Sequence, residues 1–388
     1  METPFIYGKL ATGNNFTDRE DEQERLIRNF LSGANTILIS PRRWGKSSLV
    51  LKSAEKAKSL EKSTIVVFID LFNIRNEEEF YKVLAEKVIQ SVSTKMEEVI
   101  LNVKEFMKQW IPKISFSPDS QQEFNLGLNW NELKKNPDEI LDLAEKIAIS
   151  KNLKIVICVD EFQNIAYYDN PLAFQKYLRA HWQQHQSITY CLYGSKKHML
   201  MEVFTSPSMP FYKFGDLIFL SKIDSAYWKL FITERFRSTG KEINPEQAGR
   251  IAALVDCHPY YVQQLAQLVW LRTEKSVNNT IIEKAIDSLT LQLSMLFQNM
   301  TESLSTTQVN FLKMILDKVI RLSSKENIEN YKIGTSANIV RIKKALNNKE
   351  IIDEQPDEIK ILDPLYALWL KKYYFIGHRK FDPLGRIY

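Results

Sequence analysis

Five short runs of aliphatic and β-branched residues, alternating with stretches of helical periodicity, constrain this 388-residue chain more than any other feature. They are Ile37-Leu38-Ile39, Thr64 to Asp70, Lys154 to Glu161, Ile188 to Ser195 and Leu217 to Leu220. A run that is apolar at nearly every position suits a strand covered on both faces, as in a parallel sheet. Strands alternating with helices imply right-handed crossovers, and sheets of this kind take their ligands at the carboxyl ends of the strands. The expected fold is therefore α/β, and the residues closing each run are the first candidates for function.

The first run leads into Ser40-Pro41-Arg42-Arg43-Trp44-Gly45-Lys46-Ser47 and then into the helix-compatible Ser48-Leu49-Val50-Leu51-Lys52. Strand, loop and helix with Gly-Lys-Ser at the loop-to-helix junction is the arrangement of a phosphate-binding P-loop. Backbone N–H groups and a helix N-terminus converge on phosphate oxygens, the lysine adds a point charge and the hydroxyl ligates Mg2+. The loop departs from G-x-x-x-x-G-K-[ST] at its first position, where Ser40 stands for glycine. Glycine opens such a loop without a Cβ penalty, and serine is the least disruptive bulkier substitute. Nucleotide binding is expected to survive.

A chain of this length exceeds what one core usually organises, so two or three domains are expected. Helical spacing covers Asp21 to Leu31, Glu77 to Lys108, Pro137 to Ser150 and Pro171 to Gln184, while the prolines and alternation of residues 111–130 read as a hairpin-like insertion. Past Lys222 the strand signal fades. Ser225 to Arg237, Asn244 to Val255, Pro259 to Thr273 and Asn279 to Gln298 read as helices. Beyond them, helices at Ser305 to Leu322, near Ser324 to Asn330 and at Ser336 to Asn347 precede two strand-like pieces around Pro356, the pattern of a winged helix. The expected division is an α/β domain over 1–222, a helical lid over 223–300, a winged helix over 301–374 and a tail over 375–388.

Lys and Arg outnumber Asp and Glu by 52 to 47, a net charge of +5 that permits an anionic partner without demanding one. No apolar run approaches the roughly 18 residues of a membrane helix, and Met1-Glu2-Thr3-Pro4 lacks a signal-peptide pattern, so a cytoplasmic protein without membrane contact is expected. Cys158, Cys191 and Cys257 are widely spaced and read as reduced thiols.

Asp160-Glu161 closing a buried run gives the loop its chemical partner. In a P-loop ATPase the aspartate holds Mg2+ through its hydration shell and the glutamate polarises the water that attacks the γ-phosphate. An isolated Asp-Glu after a strand is otherwise a solvated turn. The guanine-selecting [NT]-K-x-D signature is absent from the strand ends, which favours adenine.

Phe5 followed by Phe16-x-x-Arg19-Glu20, then Pro41-Arg42-Arg43-x-Gly45-Lys46-Ser47, Val159-Asp160-Glu161-Phe162-Gln163 and Tyr193-Gly194-Ser195 resemble prokaryotic AAA+ ATPases of the STAND class. The nearest group is the archaeal-type ATPase family, akin to origin-recognition initiators. The likeness spans about residues 4–265 and rests on the order of the motifs. It implies a sheet in the order 5-1-4-3-2, a helical lid, and ATP with Mg2+ between them.

The resemblance also implies roles. Lys46 would contact the β- and γ-phosphates, with Pro41, Arg42, Arg43, Trp44, Gly45, Ser47 and Ser48 forming the loop. Ser47 and Asp160 would hold Mg2+, Glu161 would activate water, and Ser195 would be the sensor-1 polar group, though a serine closing a strand also serves as a plain cap. Cys257-His258-Pro259 falls where the family has a Gly-x-Pro turn, so His258 either touches phosphate or caps the helix that Pro259 opens. Arg235 and Arg237 supply either a cationic finger or a solvated helix face.

His181 and His185, four apart on a helix, lack the glutamate of a zincin and read as surface histidines. In the winged helix, Arg341, Lys343 and Lys344 suit phosphate contacts in a DNA groove, whereas the acidic hairpin of Asp353, Glu354, Asp357 and Glu358 opposes DNA and leaves protein docking open. The combined expectation is a Mg-dependent ATPase, slow in isolation, acting as a nucleotide-dependent switch with a protein partner or by self-association. The rivals are a winged-helix DNA-binding protein with structural nucleotide and a scaffold with an inactive site.

Overall fold

The computed structural model describes residues 3–93, 137–354 and 358–375, which fall into two compact units. One is Leu10–Ser221; the other joins Met1–Lys9 to Lys222–Tyr388. The insertion expected near 111–130, the far half of the helix expected to reach Lys108, and residues 376–388 lie outside the described residues.

In the first unit a five-stranded sheet is built from β1 (Thr36–Ile39), β2 (Thr64–Asp70), β3 (Lys154–Asp160), β4 (Ile188–Gly194) and β5 (Asp216–Phe219). Its order is β2-β3-β4-β1-β5 with every pairing parallel, which is the 5-1-4-3-2 order read from the other edge. Alternate residues face opposite sides and both sides are covered, the reason the runs are apolar throughout. Ile37, Ile39, Val67, Ile69, Ile157 and Leu192 meet α3 (Glu77–Ser91), α4 (Pro137–Leu141), α5 (Leu143–Lys151) and α6 (Pro171–Trp182). On the other side Leu38, Val66, Val156, Cys158, Cys191 and Tyr193 meet α1 (Glu20–Ser32) and α2 (Lys46–Leu60). Cys158 and Cys191 are buried free thiols, register partners on neighbouring strands.

Between β4 and β5 the chain forms α7 (Lys197–Thr205), a helix for which the sequence reading named no residues. Leu200, Val203 and Phe204, at i, i+3 and i+4, bury one face of that helix against the sheet core.

The second unit is helical: α8 (Ser225–Arg237), α9 (Pro245–Leu254), α10 (Pro259–Arg272), α11 (Asn279–Gln292), α12 (Ser294–Glu302), α13 (Thr306–Leu316), α14 (Lys325–Asn330), α15 (Ser336–Asn348) and α16 (Pro364–Trp369). The antiparallel pair β6 (Ile352–Glu354) and β7 (Ile359–Ile361) forms the wing. The α9 boundary is written locally: Asn244 and Gln247 form a reciprocal capping box, with Pro245 in the first turn. The single helix expected from Asn279 to Gln298 is broken at Leu293, and the one expected to reach Leu322 stops at Leu316. There Lys318 turns left-handed, and Val319 N–H donates back to Met314 O at 3.1 Å.

One continuous core runs from Trp228, Phe231 and Phe236 through Leu265 and Phe297 to Tyr366 and Leu370, so the expected lid and winged helix share an interior. Phe5, assigned by sequence position to the sheet domain, belongs to this core instead. It is 2% exposed, with ring centroids 6.3 Å from Phe231 and 5.7 Å from Phe236. Among the described residues no helix is long and apolar enough to cross a membrane.

Candidate functional site

Parallel register brings the ends of β1, β3 and β4 to one edge, with Ile39 beside Gly194 and Val159 beside Leu192. The chain leaves β1 at Ser40, whose N–H donates to Gly194 O at 3.4 Å. Ser40 is fully buried and its hydroxyl donates to Pro41 O at 3.0 Å. The left-handed positions of the loop are Arg43 (φ 63°) and Gly45 (φ 90°). Serine in place of the first glycine therefore costs the loop no forbidden backbone, and the glycine that remains sits where one is needed.

Gly45 turns the chain into α2, putting Lys46 and Ser47 in the first helical turn. The Lys46 ammonium lies 3.0 Å from Glu161 Oε1 and 3.2 Å from Asp160 Oδ1. The Ser47 hydroxyl donates to Asp160 Oδ2 at 2.8 Å. Both carboxylates end β3, where Glu161 adopts left-handed φ 52° and its N–H donates to Asp160 Oδ1 at 2.8 Å.

From the end of β4, Ser195 donates its hydroxyl to Glu161 Oε2 at 3.0 Å and receives Arg42 Nε at 3.3 Å. Gln163, in the tight turn Phe162–Tyr167 that follows Glu161, donates its side-chain amide to the same Oε2. Sequence reasoning placed Gln163 inside a motif and gave it no role. Its signal is the glycine opposite: a Cβ on Gly194 would stand 2.0 Å from Gln163 Oε1.

The two carboxyl groups are pushed apart electrically. Burial raises Asp160 above its ordinary value, a rise that Lys46 and the Ser47 hydroxyl only partly offset. Burial also acts on Glu161, but Lys46, Gln163 and Ser195 together outweigh it and hold Glu161 below the ordinary carboxylate value. At neutral pH Glu161 is thus an ionised carboxylate beside the Lys46 ammonium.

The structure joins Arg42, Lys46, Ser47, Asp160, Glu161 and Ser195 in one network. Ser48 is different: it is buried, and its hydroxyl accepts from Ala11 N–H at 2.9 Å, outside that network. Arg43 is exposed beside Arg42, and Trp44 packs partly against the α1–α2 face of the sheet.

Arg235, Arg237, His258 and Pro259 belong to the second unit. The Arg235 guanidinium lies 4.9 Å over the Phe231 ring, and Arg237 is exposed in the last turn of α8. His258 holds the N-cap position of α10 without a side-chain cap bond, its ring centroid 4.8 Å from that of Tyr261. Cys257 adopts φ 54°, the backbone for which the family's glycine would be suited.

The histidine pair is half-buried rather than solvated. The side chains of His181 and His185 are 17% and 3% exposed. His181 bonds Asp142 at 2.8 Å and Asp138 at 3.0 Å, and His185 bonds Asp142 at 3.1 Å and Tyr190 at 2.7 Å. They tie α4 and α5 to α6 and β4. Among the described residues no group of three or more His, Cys, Asp or Glu is arranged to hold a metal ion.

Residues 295–372 match the model of a probable winged helix domain. Two solved structures share the fold over almost the whole chain. The Walker-type ATPase PABY2304 of Pyrococcus abyssi superposes with a TM-score of 0.66 at 18% identity, covering 95% of this chain and 100% of that one. The ORC2 protein of Aeropyrum pernix, in its ADPNP–ADP complexes, gives 0.56 at 14% identity, covering 97% and 99%. No curated protein matches the chain. Residues 16–265, well over half of the sequence and including every residue of the loop and strand-end network, match the model described as an ATPase domain predominantly from Archaea. With its P-loop, its 2-3-4-1-5 parallel sheet and its strand-end carboxylates, this chain belongs to that ATPase family.

Proposed function

We propose that this protein is an ATP-hydrolysing molecular switch of the AAA+ STAND type that uses Mg2+. The observation that carries the reading is the contact between loop and strand end: Lys46 lies between Asp160 and Glu161, while Ser47 is bonded to Asp160. A chain that had abandoned its nucleotide would have no need of a half-buried lysine flanked by two carboxylates. The ADPNP–ADP complexes of the Aeropyrum pernix relative support the choice of an adenine nucleotide.

Ser47 and Asp160 would hold Mg2+. Their oxygens stand 2.8 Å apart and form the hard-oxygen set that this ion prefers. Bound there, Mg2+ would neutralise charge on the phosphate oxygens. Lys46 would exchange its carboxylate partners for β- and γ-phosphate oxygens. Glu161, held ionised, would then accept a proton from the water that attacks the γ-phosphorus as the bond to ADP breaks. Ser195, bonded to both Glu161 and Arg42, would report phosphate occupancy from strand end to loop. Arg235 or Arg237 and the His258-Pro259 turn are proposed as the lid's contribution, with 223–300 as the lid and 301–374 as the winged helix.

The test is Mg-ATP binding and phosphate release by the full chain. Wild type should bind with a Kd of about 1 µM or below, near −8 kcal/mol. Lys46→Ala should lose that binding, and Glu161→Gln should keep it while abolishing turnover. Equal affinity in Lys46→Ala refutes the site. Light scattering in ATP and in ADP tests the switch, since an unchanged mass and radius would remove it.

A second reading adds DNA as the partner of the winged helix. Ala337, Val340, Arg341 and Lys344 are exposed along α15, Val340 at 68%, giving a face of small apolar groups flanked by cations. Lys343 is bonded to Glu354 of the wing, so one of its three cations is already engaged. A gel shift with duplex DNA, abolished by Arg341→Ala with Lys344→Ala, supports this reading, and no shift at low salt refutes it.

A further inference from the structure

Glu161 is gripped by one of its two oxygens. Oε2 accepts from the Gln163 amide, from the Ser195 hydroxyl at 3.0 Å and from Ser195 N–H at 3.4 Å, whereas Oε1 faces the Lys46 ammonium at 3.0 Å. Gln163 is 1% exposed, and its Oε1 has no hydrogen-bond partner among the described residues. A side chain needed only to fill this space would be apolar, because a buried carbonyl without a partner is unfavourable and Met or Leu would avoid it. What glutamine alone supplies is an N–H aimed at a carboxylate oxygen. The packing is fitted to it, since Gly194 leaves open the volume that the amide occupies.

We propose that Gln163 is a positioning residue for hydrolysis: it anchors Oε2 of Glu161 so that Oε1 alone takes the proton of the attacking water once phosphate draws Lys46 away. This rests on the reading of Glu161 as general base. The turn explains how the anchor reaches its target. Glu161 is left-handed and Phe162–Tyr167 is tightly wound, returning the side chain two residues on to the carboxylate it follows. Anchoring one oxygen removes the free rotation that would otherwise present either oxygen, or neither, to the water.

The experiment compares steady-state phosphate release and Mg-ATP binding by full-length wild type, Gln163→Met, Gln163→Glu and Glu161→Gln. In Gln163→Met kcat should fall about 10- to 100-fold while KM and ATP affinity stay within about twofold. The acid limb of the kcat–pH profile should move to higher pH, because a donor that favours the ionised base is gone. Gln163→Glu keeps the volume and adds a negative neighbour, so its acid limb should move further. It also decides the matter if the methionine variant does not fold. Wild-type kcat with an unmoved acid limb in either folded variant overturns the proposal, as does a loss of activity carried by KM. Inactive Glu161→Gln beside fully active Gln163→Met removes Gln163 alone. Active Glu161→Gln removes the general base and this inference with it.

Discussion

Gly194→Ala tests the fit between β4 and the Glu161 turn through stability, without nucleotide. The added Cβ would lie 2.0 Å from Gln163 Oε1, 3.1 Å from its Cδ and 3.2 Å from Leu200 Cδ1. The first distance is far inside the contact separation of about 3.5 Å, so the Gln163 amide must move. Moving it breaks the bond to Glu161, and a hydrogen bond to a charged group is worth about 1.5–3 kcal/mol. Overpacking elsewhere in cores costs a similar 1–3 kcal/mol, so a loss of about 2 kcal/mol is expected. The companion variant Gln163→Ala removes the obstruction. In that background Gly194→Ala should cost no more than about 0.5 kcal/mol, giving a coupling of about 1.5 kcal/mol. Hydrogen exchange at β3 and β4 amides under native conditions reads the stability of the sheet unit directly. Additivity of the two substitutions within about 0.5 kcal/mol would refute the argument, because it would mean that the side chains never compete for one space.

Three further outcomes follow from the charges and caps. Asp160 has a folded value above its unfolded one, so ionising it opposes folding, and the penalty grows as pH rises through the folded value. Asp160→Asn should therefore raise the unfolding midpoint of nucleotide-free protein at neutral pH, with the gain fading near about pH 3. Asp142 has the opposite sign. Burial is outweighed by the His181 and His185 bonds, so its contribution is present above the unfolded value and is lost as pH falls through the folded one. Asp142→Asn should cost about 0.5–1 kcal/mol at pH 7, reduced by its partial exposure, and almost nothing in strong acid; urea titrations at several pH values would show it. Asp363 accepts from Leu365 N–H, Tyr366 N–H and the Tyr261 hydroxyl, so Asp363→Ala should destabilise the helical unit by about 1–2 kcal/mol in thermal unfolding, and Tyr261→Phe by less.

The parts of this fold that were legible in the sequence are those decided by neighbours in the chain. Thr64 to Asp70 is a strand because its own residues suit one, and α9 begins at Pro245 because Asn244 and Gln247 close a capping box. The network of Lys46, Ser47, Asp160 and Glu161 was legible because loop and strand-end motifs name their own chemistry. What escaped depends on partners distant in sequence. Helix α7 needed the sheet core to bury Leu200 and Val203, and the His185 side chain is covered where it meets Asp142 and Tyr190, not by its own neighbours. Gln163 was invisible for the same reason: its meaning lies in Gly194, 31 residues later, and in a turn whose geometry no short motif states.

The placement of Phe5 changes how the molecule can be taken apart. The chain passes between its units twice, at Lys9–Leu10 and again at Ser221–Lys222, so one proteolytic nick at either place leaves both halves assembled around their own interiors. A fragment from Leu10 to Ser221 would carry its sheet complete. A fragment beginning at Lys222 would lack the ring that fills the space beside Phe231 and Phe236, a deletion comparable to a Phe→Ala change of about 3–5 kcal/mol. Supplied separately, a peptide of residues 1–9 would be the missing plug, and recovery of helical stability on adding it would turn a tether into a reagent.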